Sequence, residues 1–370
     1  MLVQQLTSKH ETGYIGTNGV RWKDNFIKTG NTTSGPDLLY KYMQIFYNDA
    51  IKNVSMETSS EAFFYGRLMN LKYDIAMVTN ITSDHMNTHK TLDNYIRCKK
   101  MLIEATKDDG YVVLNKDDKH YEEMKAVVHS NLITFGQDES SNIVIKDISL
   151  TPTSSSFKIL FRDLDNNPLL SKYNNQEVKV DSPLLAIFNI YNLTEAMIAS
   201  LLLGYPLDDV VCNVIGIKAD GRMEVLEHNG YHIIVDFAHT EGAIRNILTF
   251  ANSVEHNKIY VITGAAGGKD HTKMPKIGKV LYELADFSIL TMDNPRFEEV
   301  EDICNEIIGD QPRDKFKIIV DRDEAIRYAL SIAQPGDLLL FLGKSNEGVQ
   351  YIKGEKIPYD EWEHIKKNFI

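Results

Sequence analysis

Five apolar runs in the second half of the chain each end on charged residues or glycine, and this repetition constrains the fold more than any other feature. They span 233–235, 259–263, 287–291, 317–320 and 338–342. Helix-compatible segments separate them, so the spacing predicts strands joined by helical crossovers in a parallel α/β sheet. The run ends carry Asp236 and His239, GAAGGKD (264–270), DNPRFE (293–298), Asp321-Arg322-Asp323 and GKSNE (343–347). Ligands of open parallel sheets bind beyond the carboxyl ends of the strands. These residues are therefore expected to line one site.

The first half repeats the theme. Runs at 52–56, 73–79 and 111–114 read as buried strands, ending in Glu57, Ser59 and Ser60, in Asn80, Asp84 and His85, and in Asn115, Asp117 and Asp118. A helical pattern over 92–104 places Asn94, Tyr95, Cys98 and Lys99 at helical spacing. Glu57, His85 and Lys99 then face one crevice and one cation; the alternative is that Glu57 and His85 cap loops and Lys99 is solvated. Residues 142–180 alternate in period two around Asn166-Asn167-Pro168, which predicts an antiparallel excursion. A helix is expected over 184–203, with Asn189 and Asn192 neighbours on one face. The boundary falls near 217–220. The expected architecture is thus two doubly wound α/β domains, 1–218 and 219–370.

The chain has 370 residues, more than one core usually supports, which agrees with two domains. A net charge of −12 argues against nucleic acid or an anionic membrane as the main partner. Cys98, Cys212 and Cys304 form no CxxC pattern, so neither a disulfide framework nor a zinc site is suggested and a cytoplasmic setting is expected. Polar residues interrupt the most apolar segment, which excludes it as a membrane span. Residues 1–9 read as the last turns of a helix begun earlier. The strand over 13–16 ends in GTNG, followed by Val20-Arg21-Trp22 where a Walker A loop needs Gly-Lys-Thr/Ser. Asn31-Thr32-Thr33 precedes a helix expected over 37–47, where such loops are usually caps.

In order along nearly the whole chain, GYIGTNG, NTT, METSS…GR, TNITSDHMNTH, YIRCKK, NKDD, FNIYN, GRMEVL, VDFAHT, GAAGGKD, DNPR and GKSNE resemble the Mur ligase superfamily. Within it the similarity is to the ligases that add the third amino acid of the peptidoglycan stem peptide. The resemblance implies ATP-dependent amide formation through an acyl phosphate, with Mg2+. By the same resemblance Glu57, His85 and carbamylated Lys99 match the metal-binding and catalytic positions. Thr32, Thr33, Ser59, Tyr65 and Arg67 match those holding the UDP-N-acetylmuramoyl dipeptide, although Tyr65 stands where relatives are usually polar. Asn189, Arg222, Asp236 and His239 match nucleotide contacts. Lys269, Asp293, Asn294, Pro295, Arg296, Gly343 and Glu347 match the pocket for the incoming amino acid.

DNPR with its arginine is the form similar to meso-diaminopimelate ligases, where a guanidinium fork holds a carboxylate bidentately. The alternative is a salt bridge from Arg296 to Glu298 or Glu299. Relatives also carry an amino-terminal UDP-sugar domain and a Gly-Lys-Thr loop, which are not in this sequence. Glu61, Lys269 and Ser345-Asn346 replace a usual histidine, an arginine and Gly-His. Three readings stand at this point: a working ligase whose start lies upstream, a non-catalytic remnant that binds nucleotide or amino acid, and a superfamily ligase with another acceptor, such as a folylpolyglutamate synthase.

Overall fold

Helix starts are marked by side chains that accept a backbone N–H otherwise left without a partner. Thr91 caps Leu92–Glu104 through Asn94 N, Thr240 caps Glu241–Ser253, Asp321 caps Arg322–Ile332 and Asp360 caps Glu361–Lys367. Pro36–Asn48 starts on proline, whose missing N–H is no loss there, and buries Leu39, Tyr42 and Phe46 along one stripe. A computed structural model describes residues 1–68, 70–81, 86–268 and 271–369. His85 and Lys269 lie outside the described residues. Two compact units emerge: Met1–Ser149 with Ser155–Pro183 and Ile187–Lys218, and Leu150–Ser154 with Leu184–Ala186 and Ala219–Ile370.

The first unit holds two sheets where one was expected. One orders its strands Asn25–Ile27, Gly19–Trp22, Thr12–Gly16 and Asn53–Met56, the last pair parallel. The other runs Glu177–Ser182, Ser155–Phe161, Ile143–Leu150, Asn131–Gly136, Thr106–Asn115 and Tyr73–Val78. Its four strands from Ile143–Leu150 to Tyr73–Val78 are parallel. The predicted antiparallel excursion is present at this end of the sheet and is continuous with the parallel set. Ser155–Phe161 turns back beside Ile143–Leu150 through Thr151–Ser154 and pairs antiparallel with Glu177–Ser182, while Ile143–Leu150 also joins the parallel set through Phe135 and Gly136.

Between Asn53–Met56 and Tyr73–Val78 lies a cavity of about 570 Å³, walled by both strands and floored by Val3, Met43, Leu71, Leu102, Ala199 and Leu203. This gap also corrects the buried-strand reading of 52–56. Val54 is 38% exposed because the strand borders the opening instead of lying within a continuous sheet.

In the second unit the order is Glu224–His228, Tyr231–Asp236, Leu338–Leu342, Ile259–Thr263, Phe287–Leu290 and Phe316–Ile318, all parallel except the first. Leu338–Leu342 sits mid-sheet and is buried on both faces, which is why it reads as an unbroken apolar run. Each such buried side chain contributes roughly 1.5–3 kcal/mol. A hairpin of Val349–Ile352 and Glu355–Pro358 follows, with Arg296 bridging to Ile352. No helix among the described residues is long and apolar enough to cross a membrane.

Cys98 and Cys304 are buried and Cys212 is exposed. Burial raises the Cys98 thiol and pushes Cys304 up to about 12. Because the thiolate is the reactive form, titration of the native protein with a chromogenic disulfide is expected to label Cys212 alone within minutes. The other two thiols should appear on denaturation.

Candidate active site

The strand Asn53–Met56 delivers Glu57 to the end of the first unit's small sheet. Its Oε1 accepts from the Tyr14 hydroxyl, and Oε2 accepts from Thr17 N (3.0 Å) and Thr17 Oγ1 (2.8 Å). Burial first, then the adjacent Glu57, hold the Tyr14 phenol protonated far above its usual range. Thr17 Oγ1 lies 2.9 Å from Thr32 Oγ1. Thr33 donates to the Glu57 carbonyl (2.9 Å) and accepts from Ser59 N (3.0 Å), while Arg67 reaches the Thr33 carbonyl at 3.3 Å. Ser59 caps Ser60–Phe64, and Arg67 stacks over the exposed Tyr65 ring at 5.5 Å. Thr32, Thr33, Ser59, Tyr65 and Arg67 thus gather around Glu57. The loop of Thr32 and Thr33 does not cap Pro36–Asn48, whose N-cap is Gly35.

A carboxylate has about four lone-pair directions, and three are taken. Glu57 can offer the remaining one to a hard cation. Magnesium is typically held by one or two carboxylates together with substrate phosphates, so Glu57 fits as one such ligand. Among the described residues no three His, Cys, Asp or Glu converge as a metal cluster. Lys99 lies on Leu92–Glu104, 5.6 Å over the Tyr95 ring, and its charge acts on the fully buried Glu195. Burial raises the Glu195 carboxyl well above its usual range. Asn189 is buried and accepts from Asn192 at 3.4 Å.

Gly16 permits the approach of Glu57. A β-carbon there would stand 2.2 Å from the Tyr14 hydroxyl and 2.6 Å from Glu57 Cδ. Gly16→Ala is expected to displace the carboxylate and destabilise the unit by about 1–3 kcal/mol, read by urea unfolding.

In the second unit, Asp236 accepts from Met223 N (2.8 Å) and Ala238 N (2.7 Å). Burial raises its carboxyl, against those amides and Arg222. It fixes the backbone on either side of its strand end. Arg222 lies 5.3 Å over the Phe237 ring, and His239 bonds the Phe237 carbonyl at 2.9 Å. These exposed groups form one patch.

The DNPR and GKSNE strings meet. Asn294 Nδ2 donates to Glu347 at 3.1 and 3.0 Å. Asp293 is buried beside Lys344, and burial raises its carboxyl against the pull of Lys344 and Arg322. Gly343 adopts φ +103°, with Asp293 at its shoulder. Pro295 leads into Arg296, whose φ of +57° and backbone bond to Tyr351 O (2.9 Å) fix its stem. Arg296 makes no ion pair with Glu298 or Glu299; Glu298 accepts from Gly268 N and faces His271. Ser345, at a departure from the family pattern, donates to the Gly221 carbonyl at 2.9 Å, and Glu61 accepts from Thr88 at 2.6 Å.

Several residues of these sites were not singled out in the sequence. Tyr14 and Thr17 sit inside GYIGTNG, a string that carries the family resemblance without singling out either side chain. His89, 1% exposed, pairs with Ser60 Oγ at 2.9 Å and packs edge-on to Phe64 and Tyr95. Its signal was a histidine on a short helix.

Comparison with known proteins gives the family and the fold. Residues 1–200 match the Mur ligase middle domain, and residues 221–345 the Mur ligase, glutamate ligase domain. A UDP-N-acetylmuramoyl-L-alanyl-D-glutamate–2,6-diaminopimelate ligase of Bacillus cereus is 31% identical over 366 residues, 97% of this chain and 72% of that protein. The enzyme of the same name from Aquifex aeolicus is 31% identical over 363 residues, covering 98% and 72%. A solved structure of a ligase with that name superposes with a TM-score of 0.71 at 26% identity, covering 100% of this chain and 75% of that one. A MurF ligase of Thermotoga maritima in complex with ADP shares the fold, with a TM-score of 0.62 at 16% identity, over 86% and 67%. With two domain models matched in order and relatives this similar over almost its full length, the chain belongs to the Mur ligase family.

Proposed function

We propose that the chain is an ATP-dependent amide ligase that joins meso-diaminopimelate to UDP-N-acetylmuramoyl-L-alanyl-D-glutamate, in the cytoplasm, during peptidoglycan precursor synthesis. The observation that carries the choice of amino acid is the Asp293–Arg296 turn. Asn294 and Glu347 are locked together, and the adjacent guanidinium has no ion-pair partner among the described residues. A planar fork so placed suits the distal carboxylate of a diamino diacid. Relatives named for that amino acid support the assignment.

In the reaction, the D-glutamyl carboxylate attacks the γ-phosphorus of ATP, the bond to the bridging oxygen breaks and ADP leaves. The amine of the incoming amino acid then attacks the acyl phosphate carbonyl, loses a proton and expels phosphate. Thr32, Thr33, Ser59, Tyr65 and Arg67 hold the acidic dipeptide, and Asn189, Arg222, Asp236 and His239 serve the nucleotide. Lys269, outside the described residues, adds a cation to the amino-acid pocket. Glu57, His85 and carbamylated Lys99 would hold magnesium, which supplies positive charge beside the phosphoryl oxygens. Tyr14 and Thr17 orient the Glu57 carboxylate toward that task.

Phosphate release and formation of the tripeptide product, followed by mass, test this reading. Both are expected to require the UDP-muramoyl dipeptide and meso-diaminopimelate together with ATP. Phosphate release indifferent to both acceptors, or product formed equally well with an unrelated acceptor, would refute it.

A further inference from the structure

One buried cation beside the amino-acid pocket has no task in the mechanism above. Lys344 follows Gly343 at the end of Leu338–Leu342 and is 0% exposed. Its ammonium donates to Asn294 Oδ1 (3.0 Å), to Glu347 Oε2 (2.8 Å) and to the Val349 carbonyl. An ammonium has three N–H groups, and all three are in use. Asp293 Oδ1 stands 3.4 Å away as an ion-pair partner, yet has no hydrogen-bond partner among the described residues.

The consequence lies in the amide of Asn294. Its Oδ1 accepts from Lys344 and also from Tyr351 N at 3.0 Å, so both lone pairs are occupied. Rotating the amide by half a turn would set its NH2 group against two donors. The Nδ2 group is therefore held toward the two oxygens of Glu347. Glu347 in turn is gripped by Lys344 and Asn294, while its side chain stays 24% exposed.

Building on the proposed amino-acid pocket, we infer that Lys344 is a positioning residue for the incoming amino acid. It sets the amide of Asn294 and the carboxylate of Glu347 in the orientation that receives the ligand. A lysine that merely balanced buried charge would support the fold and leave ligand affinity untouched in any variant that folds.

Calorimetric titration of meso-diaminopimelate into the full chain, with melting curves alongside, distinguishes the two roles. Lys344→Met is expected to weaken binding about 30-fold, the scale of losing hydrogen bonds to charged groups. Should its buried carboxylates prevent that variant from folding, Lys344→Arg decides. It keeps the charge but cannot place three donors from one point, and about tenfold weaker binding with a native melting curve is expected. In 15N-labelled Lys344→Arg the Asn294 side-chain amide signals should also shift, a change that charge balance alone does not require. A folded Lys344 variant that binds within twofold of the parent, while Asn294→Ala loses binding, overturns the role of Lys344 alone. An unsubstituted chain that does not bind meso-diaminopimelate, or an Asn294→Ala variant that binds normally, removes the pocket itself and this inference with it.

Discussion

Glu361→Ala is expected to destabilise the second unit by about 3–5 kcal/mol, the scale of removing one member of a buried ion pair. Arg322 and Glu361 are 2% and 0% exposed in their side chains, and their closest contact is 2.6 Å. The guanidinium donates to both oxygens of Glu361 through Nε and Nη2, and its third nitrogen reaches the Met292 carbonyl at 3.1 Å. Removing Glu361 strands a charge that water cannot reach. The melting transition of that unit should fall by on the order of 10 °C. A double replacement, Arg322→Met with Glu361→Leu, is expected to recover most of the loss, because matched apolar side chains restore packing without desolvating charge. If the single and double variants melt alike, the deficit reflects packing and not the stranded charge. Arg322 also holds the residue before Asp293, so Glu361→Ala should loosen the amino-acid pocket as well.

Arg296→Lys is expected to lower kcat/KM for meso-diaminopimelate by about 100-fold while changing that for lysine little, because an ammonium keeps the charge and loses the fork. Both residues carry a β-carbon, so the strain of the positive φ is the same in each. The backbone bonds of Arg296 to Tyr351 and Lys353 are likewise kept. The affected quantity is the choice between amino acids. Competition assays with the two present together read it directly, and equal losses for both would show that Arg296 acts only through charge or folding.

The central strands of the second unit were legible because they are buried on both faces and end abruptly in glycine or charge, whereas the half-exposed edge strand Glu224–His228 was not. Leu338–Leu342 and Ile259–Thr263 appear with the predicted bounds. Asn131–Gly136 was missed: its five letters LITFG follow a polar stretch and have no partner signal of their own. The antiparallel strands of 142–180 were legible in their alternation, but the parallel join of Ile143 and Val144 to Phe135 and Gly136 was not, because alternation reports one solvated face and not the direction of the neighbour. Glu57 was found from its place at a strand end, whereas Tyr14 and Thr17, which hold it, are separated from it by about forty residues of chain. Lys344 and Arg322 illustrate the same limit. A lysine between glycine and serine, or an arginine between aspartates, reads as solvated surface. Only folding brings Asn294 and Glu361 to them, so charge burial is a property of long-range contacts.

The gap between Asn53–Met56 and Tyr73–Val78 makes the first unit two half-sheets sharing a floor of apolar side chains. Each rim presents main-chain amides that no neighbouring strand covers along that side. Those amides are expected to trade deuterium for hydrogen sooner than the rest of their sheets, since their opening need not await cooperative unfolding. The carboxylate borne by the strand on one bank is thus expected to ride on a rim that can open locally, without the unit as a whole coming apart.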